Sequence, residues 1–374
     1  MKRYLTESLA RDLGKKIILL SGPRQAGKTT LAKMLSPDHD YLNYDYAEHR
    51  MIVNEKGWDR QKGLLILDEL HKKKDWKRFL KGVYDVEGLK PAILVTGSAR
   101  LDTIRKTGDS LAGRYFQFRL HPLDLKELRG AIPPAEALKR LKTHGGFPEP
   151  FLENDQAFSR RWRKTHLDII LRQDLLDLES VRSIQSIETL IELLKKQVGT
   201  PISYASLARD IECSPKSIKN WLKILENLYV VFAVRPHHRN VARAILKEPK
   251  YYFYDLGLLG EDSGAKLENL VACSLHKELH FLEDVLGIKC ALQYIRNKQG
   301  KEIDFFLQIG EKELLIEVKS GQEGISPNFR IFSPFVPRAG KIQLVEGLSR
   351  EKTYADGCEI RNLENWLMNL DLCK

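Results

Sequence analysis

The chain has 374 residues, a formal net charge of +11, 43% hydrophobic residues and 30% charged residues. That length exceeds one ordinary core and calls for two or three domains; no apolar run reaches bilayer length, and Met1–Glu7 lacks the apolar stretch of a secretion signal. Five scattered cysteines without a C-x-x-C pair argue against a zinc site or disulfide framework and for a cytoplasmic protein, while the positive balance favours a polyanionic partner.

In chain order, the first apolar run is Ile17–Leu20, followed by Gly22, Pro23, Arg24, Gln25, Ala26, Gly27, Lys28 and Thr29, a complete G-x-x-x-x-G-K-[ST] phosphate loop. Helical spacing begins at once, from Thr30 to Leu35. The glycines allow successive N–H groups to turn toward phosphate oxygens, and the helix start adds partial positive charge. Lys28 is then placed to reach the β- and γ-phosphates of ATP, and the Thr29 hydroxyl to ligate Mg²⁺.

Apolar runs then alternate with helical segments, the pattern of a parallel sheet covered on both faces. The run Tyr41–Asp45 is one predicted strand and Gly63–Glu69 another. The second ends in Asp68-Glu69, where Asp68 suits the Mg²⁺ shell and Glu69 suits orienting or deprotonating the attacking water; the plainer alternative is a helix cap. Ala92–Thr96 ends in Gly97-Ser98, giving Ser98, with Thr96 second, as a polar group near the γ-phosphate, unless Gly-Ser is only a turn. Arg114 heads the strand Tyr115–Phe118 and would face a neighbouring subunit in a ring, or else is an ordinary surface arginine.

These motifs resemble the AAA+ ATPases: the phosphate loop, Leu65–Glu69, Gly97-Ser98 and Arg114 occur in the family's order. More narrowly, the chain resembles a prokaryotic AAA+ group reading G-P-R-Q-x-G-K-T-T, L-D-E, T-G-S and L-A-G-R, whose members carry a C-terminal restriction-endonuclease-like domain of unknown function. The resemblance covers nearly the whole chain. It implies that Ser98 is the first sensor and Arg114 the arginine finger; Arg160, Arg161 and Arg163 lie near the implied lid, without a context that singles one out as second sensor.

Pro133-Pro134 and Gly145–Pro150 punctuate the next segment, and Asp155–Ser180 reads as a helix of that lid. A short helix follows with Ser203 as its cap; Ser214 caps the next, with Pro215 in its first position and Ile218, Leu222 and Leu225 inward. Its other side carries Lys216, Lys219, Asn220 and Lys223. Tyr229–Val234 is a predicted strand and Arg235–Asn240 a basic loop, so the order resembles a winged helix-turn-helix, a module that contacts DNA or protein. His237 and His238 have no nearby ligand partner for a metal.

Near the C-terminus, Lys301–Leu307 and Leu314–Lys319 read as two strands. Period-two alternation puts Asp304 opposite the apolar Ile303, Phe305 and Leu307, and puts Glu317 with Lys319. Asp304, Glu317 and Lys319 would cluster across the pair, with Asp304 and Glu317 able to hold a second Mg²⁺; the alternative is a solvent-facing charge ladder. The pattern resembles the PD-(D/E)xK nuclease core, which implies a helical glutamate, here Glu268; Ile303 stands where that family has proline.

The expected fold class is α/β: a P-loop AAA+ parallel sheet with a helical lid, then a winged helix and a mixed α/β restriction-endonuclease-like domain. The expected domains are 1–125 for the ATPase core, 126–184 for the lid, 185–245 for the winged helix and 246–374 for the nuclease-like domain. The expected function is Mg²⁺-dependent ATP binding and hydrolysis with processing of duplex or branched DNA, in a homo-oligomer that could close as a ring, and without a membrane. The alternative is a nucleotide-gated switch or remodeller of protein partners whose nuclease-like domain is inactive.

Overall fold

The buried apolar runs of the first third become strands of one parallel sheet. The computed structural model describes residues 2–97, 111–174, 184–237, 248–260, 263–321 and 324–373. They form two units, Met1–His121 with Asp284–Leu286, and Pro122–Glu283 with Gly287–Lys374.

In the first unit, β1 (Ile17–Ser21), β2 (His39–Asn43), β3 (Leu64–Asp68), β4 (Ala92–Thr96) and β5 (Tyr115–Arg119) are ordered β2-β3-β4-β1-β5. All neighbouring pairs are parallel. β1 and β3 are buried along their whole length, as unbroken apolar runs require in a sheet covered on both faces. The helices are α1 (Thr6–Asp12), α2 (Lys28–Met34), α3 (Ala47–Glu55) and α4 (Trp76–Glu87). Trp76, Leu80 and Val83 of α4 recur at helical spacing and pack with Leu65, Leu67, Ile93 and Val95 of the sheet. The strand expected at Tyr41–Asp45 lies two residues earlier, because Asn43 caps the turn through the Asp45 N–H.

The second unit opens with α5 (Pro134–His144), α6 (Pro148–Glu153) and α7 (Gln156–Ile169), whose N-cap Asp155 accepts from the Phe158 N–H. The expected helix to Ser180 passes into a π-turn at Ile170–Asp174, and its last residues lie outside the described set. Next come α8 (Ile184–Lys196), α9 (Tyr204–Asp210) and α10 (Pro215–Asn227). Ser214 caps α10, accepting from the Ser217 N–H at 3.0 Å, whereas Ser203 precedes α9 without a side-chain cap bond. The strand expected from Tyr229 starts at Val231: Tyr229 is left-handed at φ 56° and turns the chain first.

β6 (Val231–Pro236) and β7 (Lys250–Phe253) are antiparallel. β6 also pairs, in parallel, with β8 (Cys290–Arg296). The sheet continues through β9 (Glu302–Ile309), β10 (Lys312–Lys319), β11 (Gly340–Val345), β12 (Lys352–Thr353) and β13 (Cys358–Asn362), in the order β12-β13-β11-β10-β9-β8-β6-β7. The long helix α11 (Ser263–Leu286) precedes β8, and α12 (Asn328–Phe332) follows β10.

Candidate functional site

The carboxyl ends of the parallel strands bring the predicted nucleotide site together, the usual ligand position in an open α/β sheet. The phosphate loop leaves β1 with Gly22 at φ 148° and Gly27 at φ 92°. A Cβ on Gly22 would lie 2.2 Å from the Leu120 carbonyl oxygen, so only glycine fits where the chain beyond β5 crosses the loop. Lys28 is buried and donates to the carbonyls of Gly22 at 2.9 Å and Pro23 at 2.7 Å, curling over the loop it serves. Pro23 and Ala26 are buried, Arg24 is half-buried, and Gln25 and Thr30 are exposed. Arg3 supports the loop from behind, donating to the Ala26 carbonyl at 2.7 Å and to that of His121 at 2.5 Å.

Asp68 is the hub. Its Oδ2 accepts from Thr29 Oγ1 at 2.9 Å and Tyr41 OH at 2.8 Å, and its Oδ1 accepts from Thr96 Oγ1 at 2.5 Å. The register aligns Asn43, Asp68 and Thr96 across three strands, so Tyr41 and Thr96 reach Asp68 from either side. Burial and the Asp68 charge push the Tyr41 hydroxyl up to about 12, keeping it a donor. The set around Asp68 is all oxygen, and Thr29 with Asp68 suits a hard cation such as Mg²⁺. Thr96, second to Ser98 in the sequence reading, is the polar group seen here; Ser98 lies outside the described residues.

Glu69 follows at φ 55°. Burial pushes its carboxyl up to about 7, with Asp68 adding to the rise against Lys28 and Lys72. His71 Nε2 lies 3.6 Å and Lys72 Nζ 3.9 Å from its Oε2. A carboxyl tuned near neutrality suits a general base.

Arg114 sits at the other end of the sheet. Its carbonyl accepts from the Ile17 N–H at the start of β1, about 13 Å in strand length from the loop that leaves the far end. Its guanidinium pairs with Asp85, Nε to Oδ1 at 2.7 Å. It therefore does not serve the loop of its own chain. In the second unit Arg160 and Arg161 are exposed, whereas Arg163 donates to the Thr143 carbonyl at 2.9 Å and lies 3.5 Å from Asp255.

The C-terminal cluster forms too, with Glu317 buried and Asp304, Lys319 and Glu268 half-buried. Asp304 Oδ2 accepts from the Val318 N–H at 2.8 Å. Glu317 is 2% exposed; its Oε1 accepts from Ser326 Oγ and Asn328 Nδ2, both at 3.1 Å, and its Oε2 lies 3.7 Å from Lys319. A solvent-facing ladder is thereby excluded. Burial and then Asp304 push Glu317 up to about 8, and the same two causes push Glu268 up to about 7. Glu268 Oε1 accepts from Tyr252 OH at 2.6 Å and from Lys250 Nζ at 3.2 Å. Lys250, wholly buried, also pairs with Glu302 at 3.1 Å. Burial alone would lower its ammonium, but Glu268, Asp304 and Glu302 outweigh that and hold it above the ordinary lysine value. Among the described residues no group of three or more His, Cys, Asp or Glu is arranged to hold a metal ion. Asp304 and Glu317 supply carboxylate oxygens of the kind a second Mg²⁺ would need, with Asp304 Oδ2 and Glu317 Oε1 already accepting hydrogen bonds. His237 Nδ1 donates to Gln293 Oε1 at 3.1 Å and the ring packs edge-on to Phe306, while His238 is outside the described residues.

Tyr41, Arg3, His71, Lys250, Tyr252, Ser326 and Asn328 were not singled out by sequence. Lys250 left a trace, a lone cation opening the aromatic run Tyr251–Tyr254.

Residues 14–129 match the family model described as an AAA domain. Residues 135–268 and 263–365 match two domains of unknown function, DUF8612 and DUF4143. An uncharacterized protein of Mycobacterium tuberculosis is 26% identical over 341 residues, covering 88% of this chain and 74% of its own. One from Haemophilus influenzae is 21% identical over 392 residues, covering 94% of both chains. Among solved structures, the Thermotoga maritima RuvB Holliday junction branch migration motor is similar at TM-score 0.33 and 18% identity, covering 65% of this chain and 91% of its own. A signal transduction ATPase with numerous domains from Pyrococcus horikoshii is similar at TM-score 0.28 and 15% identity, covering 76% and 47%. The match over residues 14–129 and the loop geometry support an AAA-type P-loop ATPase domain in the first unit. Among the described residues no helix is long and apolar enough to cross a membrane.

Proposed function

We propose that the chain is a Mg²⁺-dependent ATPase that couples nucleotide turnover to binding of duplex or branched DNA, working as a homo-oligomer. The observation that carries the ATPase reading is the Thr29–Asp68 contact at 2.9 Å beside a loop closed by Lys28. The loop backbone from Gly22 to Thr30 would cradle the phosphates, and Thr29 and Asp68 would hold Mg²⁺, which when bound neutralises phosphate charge. Glu69 takes the proton of the attacking water. The position of Arg114, away from its own loop and at the protein surface, supports a role toward a neighbouring chain.

The DNA reading rests on α8, α9, α10 and the β6–β7 hairpin, the element order of a winged helix, completed by a bridge between Pro201 and Lys250. Lys216, Lys219, Asn220 and Lys223 are exposed along α10, in the position of a recognition helix. The helix α11 followed by β8, β9 and β10, with Glu268, Asp304, Glu317 and Lys319 converging, supports a nuclease-like domain. The test is ATP turnover with and without duplex or junction DNA, alongside Lys28→Ala. DNA-stimulated turnover lost in the variant supports the reading; unstimulated turnover and no retention of any DNA would remove its DNA half.

A second reading, a nucleotide-gated remodeller of protein partners with an inactive nuclease-like domain, is favoured by Lys250, whose ammonium already neutralises Glu268 and Glu302. Incubating DNA substrates with Mn²⁺, beside Asp304→Ala, separates the two. Cleavage that vanishes in the variant overturns the inactive reading.

A further inference from the structure

The segment Lys72–Lys81 carries six lysines and arginines and a single acid, Asp75. It forms the approach to α4 and the helix's first half, directly after Glu69. With Trp76, Leu80 and Val83 committed to the core, Lys77, Arg78 and Lys81 fall at i, i+1 and i+4 on the opposite side of α4, and Lys74 precedes the helix across Asp75. Lys74, Arg78 and Lys81 are exposed and Lys77 is half-buried beside the Trp76 ring. The two acids farther along α4 are occupied: Asp85 pairs with Arg114 at 2.7 Å and Glu87 with Arg60 at 3.0 Å. Among the described residues, none of the four cations has a carboxylate within ion-pair distance.

We propose that this stripe of α4 is a phosphate-backbone contact for duplex DNA, contributed by the ATPase unit itself. From Lys77 to Lys81 the stripe runs about 6 Å at helical rise, a length over which one DNA strand presents about two to three phosphates. Its positive charge outweighs the nearby Asp75 and Asp85, the second of which is ion-paired to Arg114, and its lysines and arginine give no base-specific geometry. The contact is therefore sequence-independent. The inference rests on the DNA-binding reading above and adds to it a second surface, on the other unit from Lys216, Lys219 and Lys223.

The test measures the affinity of the full chain for a duplex as salt is raised. Four proteins are compared: the unaltered chain, Lys77→Ala/Arg78→Ala/Lys81→Ala, Lys216→Ala/Lys219→Ala/Lys223→Ala, and a control of equal charge loss, Lys15→Ala/Lys56→Ala/Lys90→Ala. Each phosphate contact contributes about 0.9 to the slope of log affinity against log salt, so the α4 variant should lose up to about 2.7 of slope. The control should keep the full slope, and basal ATP turnover of the α4 variant should be unchanged. An α4 variant with the unaltered slope, when the α10 variant has lost part of its own, overturns this inference and leaves the DNA reading standing. An equal loss in the control also overturns it, by showing a net-charge effect. An unaltered chain that binds no duplex overturns both.

Discussion

Glu69→Gln isolates the energetic cost of burying the Glu69 carboxyl, the proposed general base. The folded chain holds the Glu69 proton more tightly than the unfolded chain does, with its carboxyl moved from 4.5 to about 7, chiefly by burial. Stability from this group is therefore complete below pH 4.5 and is lost as pH rises through 7. At about 1.4 kcal/mol per tenfold change in proton affinity, the loss reaches about 3 kcal/mol by pH 8. Glutamine has the same shape and no proton to lose. The variant should match the unaltered chain at pH 4.5 and exceed it by about 3 kcal/mol at pH 8, while ATP turnover disappears. Urea unfolding followed through Trp58 and Trp76, both buried in the first unit, supplies the measurement. An equal difference at pH 4.5 and pH 8 would refute the burial argument. In the unaltered enzyme the same ionisation makes kcat/KM for ATP fall about tenfold per pH unit below pH 6.

Gly22→Ala drives a methyl into the Leu120 carbonyl, so calorimetry with Mg²⁺-ATP should show no binding heat, and a normal heat would refute the packing reading. Tyr41→Phe removes one of three hydroxyl donors from Asp68 and should cost about 2 kcal/mol of stability while ATP still binds; a change below 0.5 kcal/mol, roughly the noise of such measurements, would discount the contact. Lys250→Met strands Glu268 and Glu302 and should cost about 3–5 kcal/mol, partly recovered by adding Glu268→Gln; no recovery would mean that the loss comes from packing. Arg114→Ala should lower turnover by about a thousandfold without weakening ATP binding, and mixing it with Glu69→Gln chains should restore activity; mixtures as inactive as their components would remove the role toward a neighbour.

What the sequence made legible was contiguous or strictly periodic. The phosphate loop and Asp68-Glu69 are read from adjacent residues, and Asp304 finds Glu317 through the two-residue repeat of strands. Tyr41 reaches Asp68 only because β2 lies beside β3 in a particular register, which neither run encodes alone. Arg3 meets the loop through a chain reversal spanning 23 residues. The burial of Glu317 depends on Ser326 and Asn328 folding back over β10, and local alternation carries no information about that cover. Lys250 defeats expectation from composition, since a buried ammonium is rare until its counter-charges, drawn from α11 and β9, are known.

β6 is hydrogen-bonded on one edge to β7 and, through Arg235 and Pro236, on the other to β8, so the strands following α10 are tied into the larger sheet. Through β8 that sheet runs on to β9 and β10, the strands bearing Asp304 and Glu317. Lys250, the first residue of β7, is the rivet where the sheet meets the acidic cluster. The one buried ammonium on β7 therefore holds carboxylates of both α11 and β9 at once, tying strand, helix and sheet through a single charge.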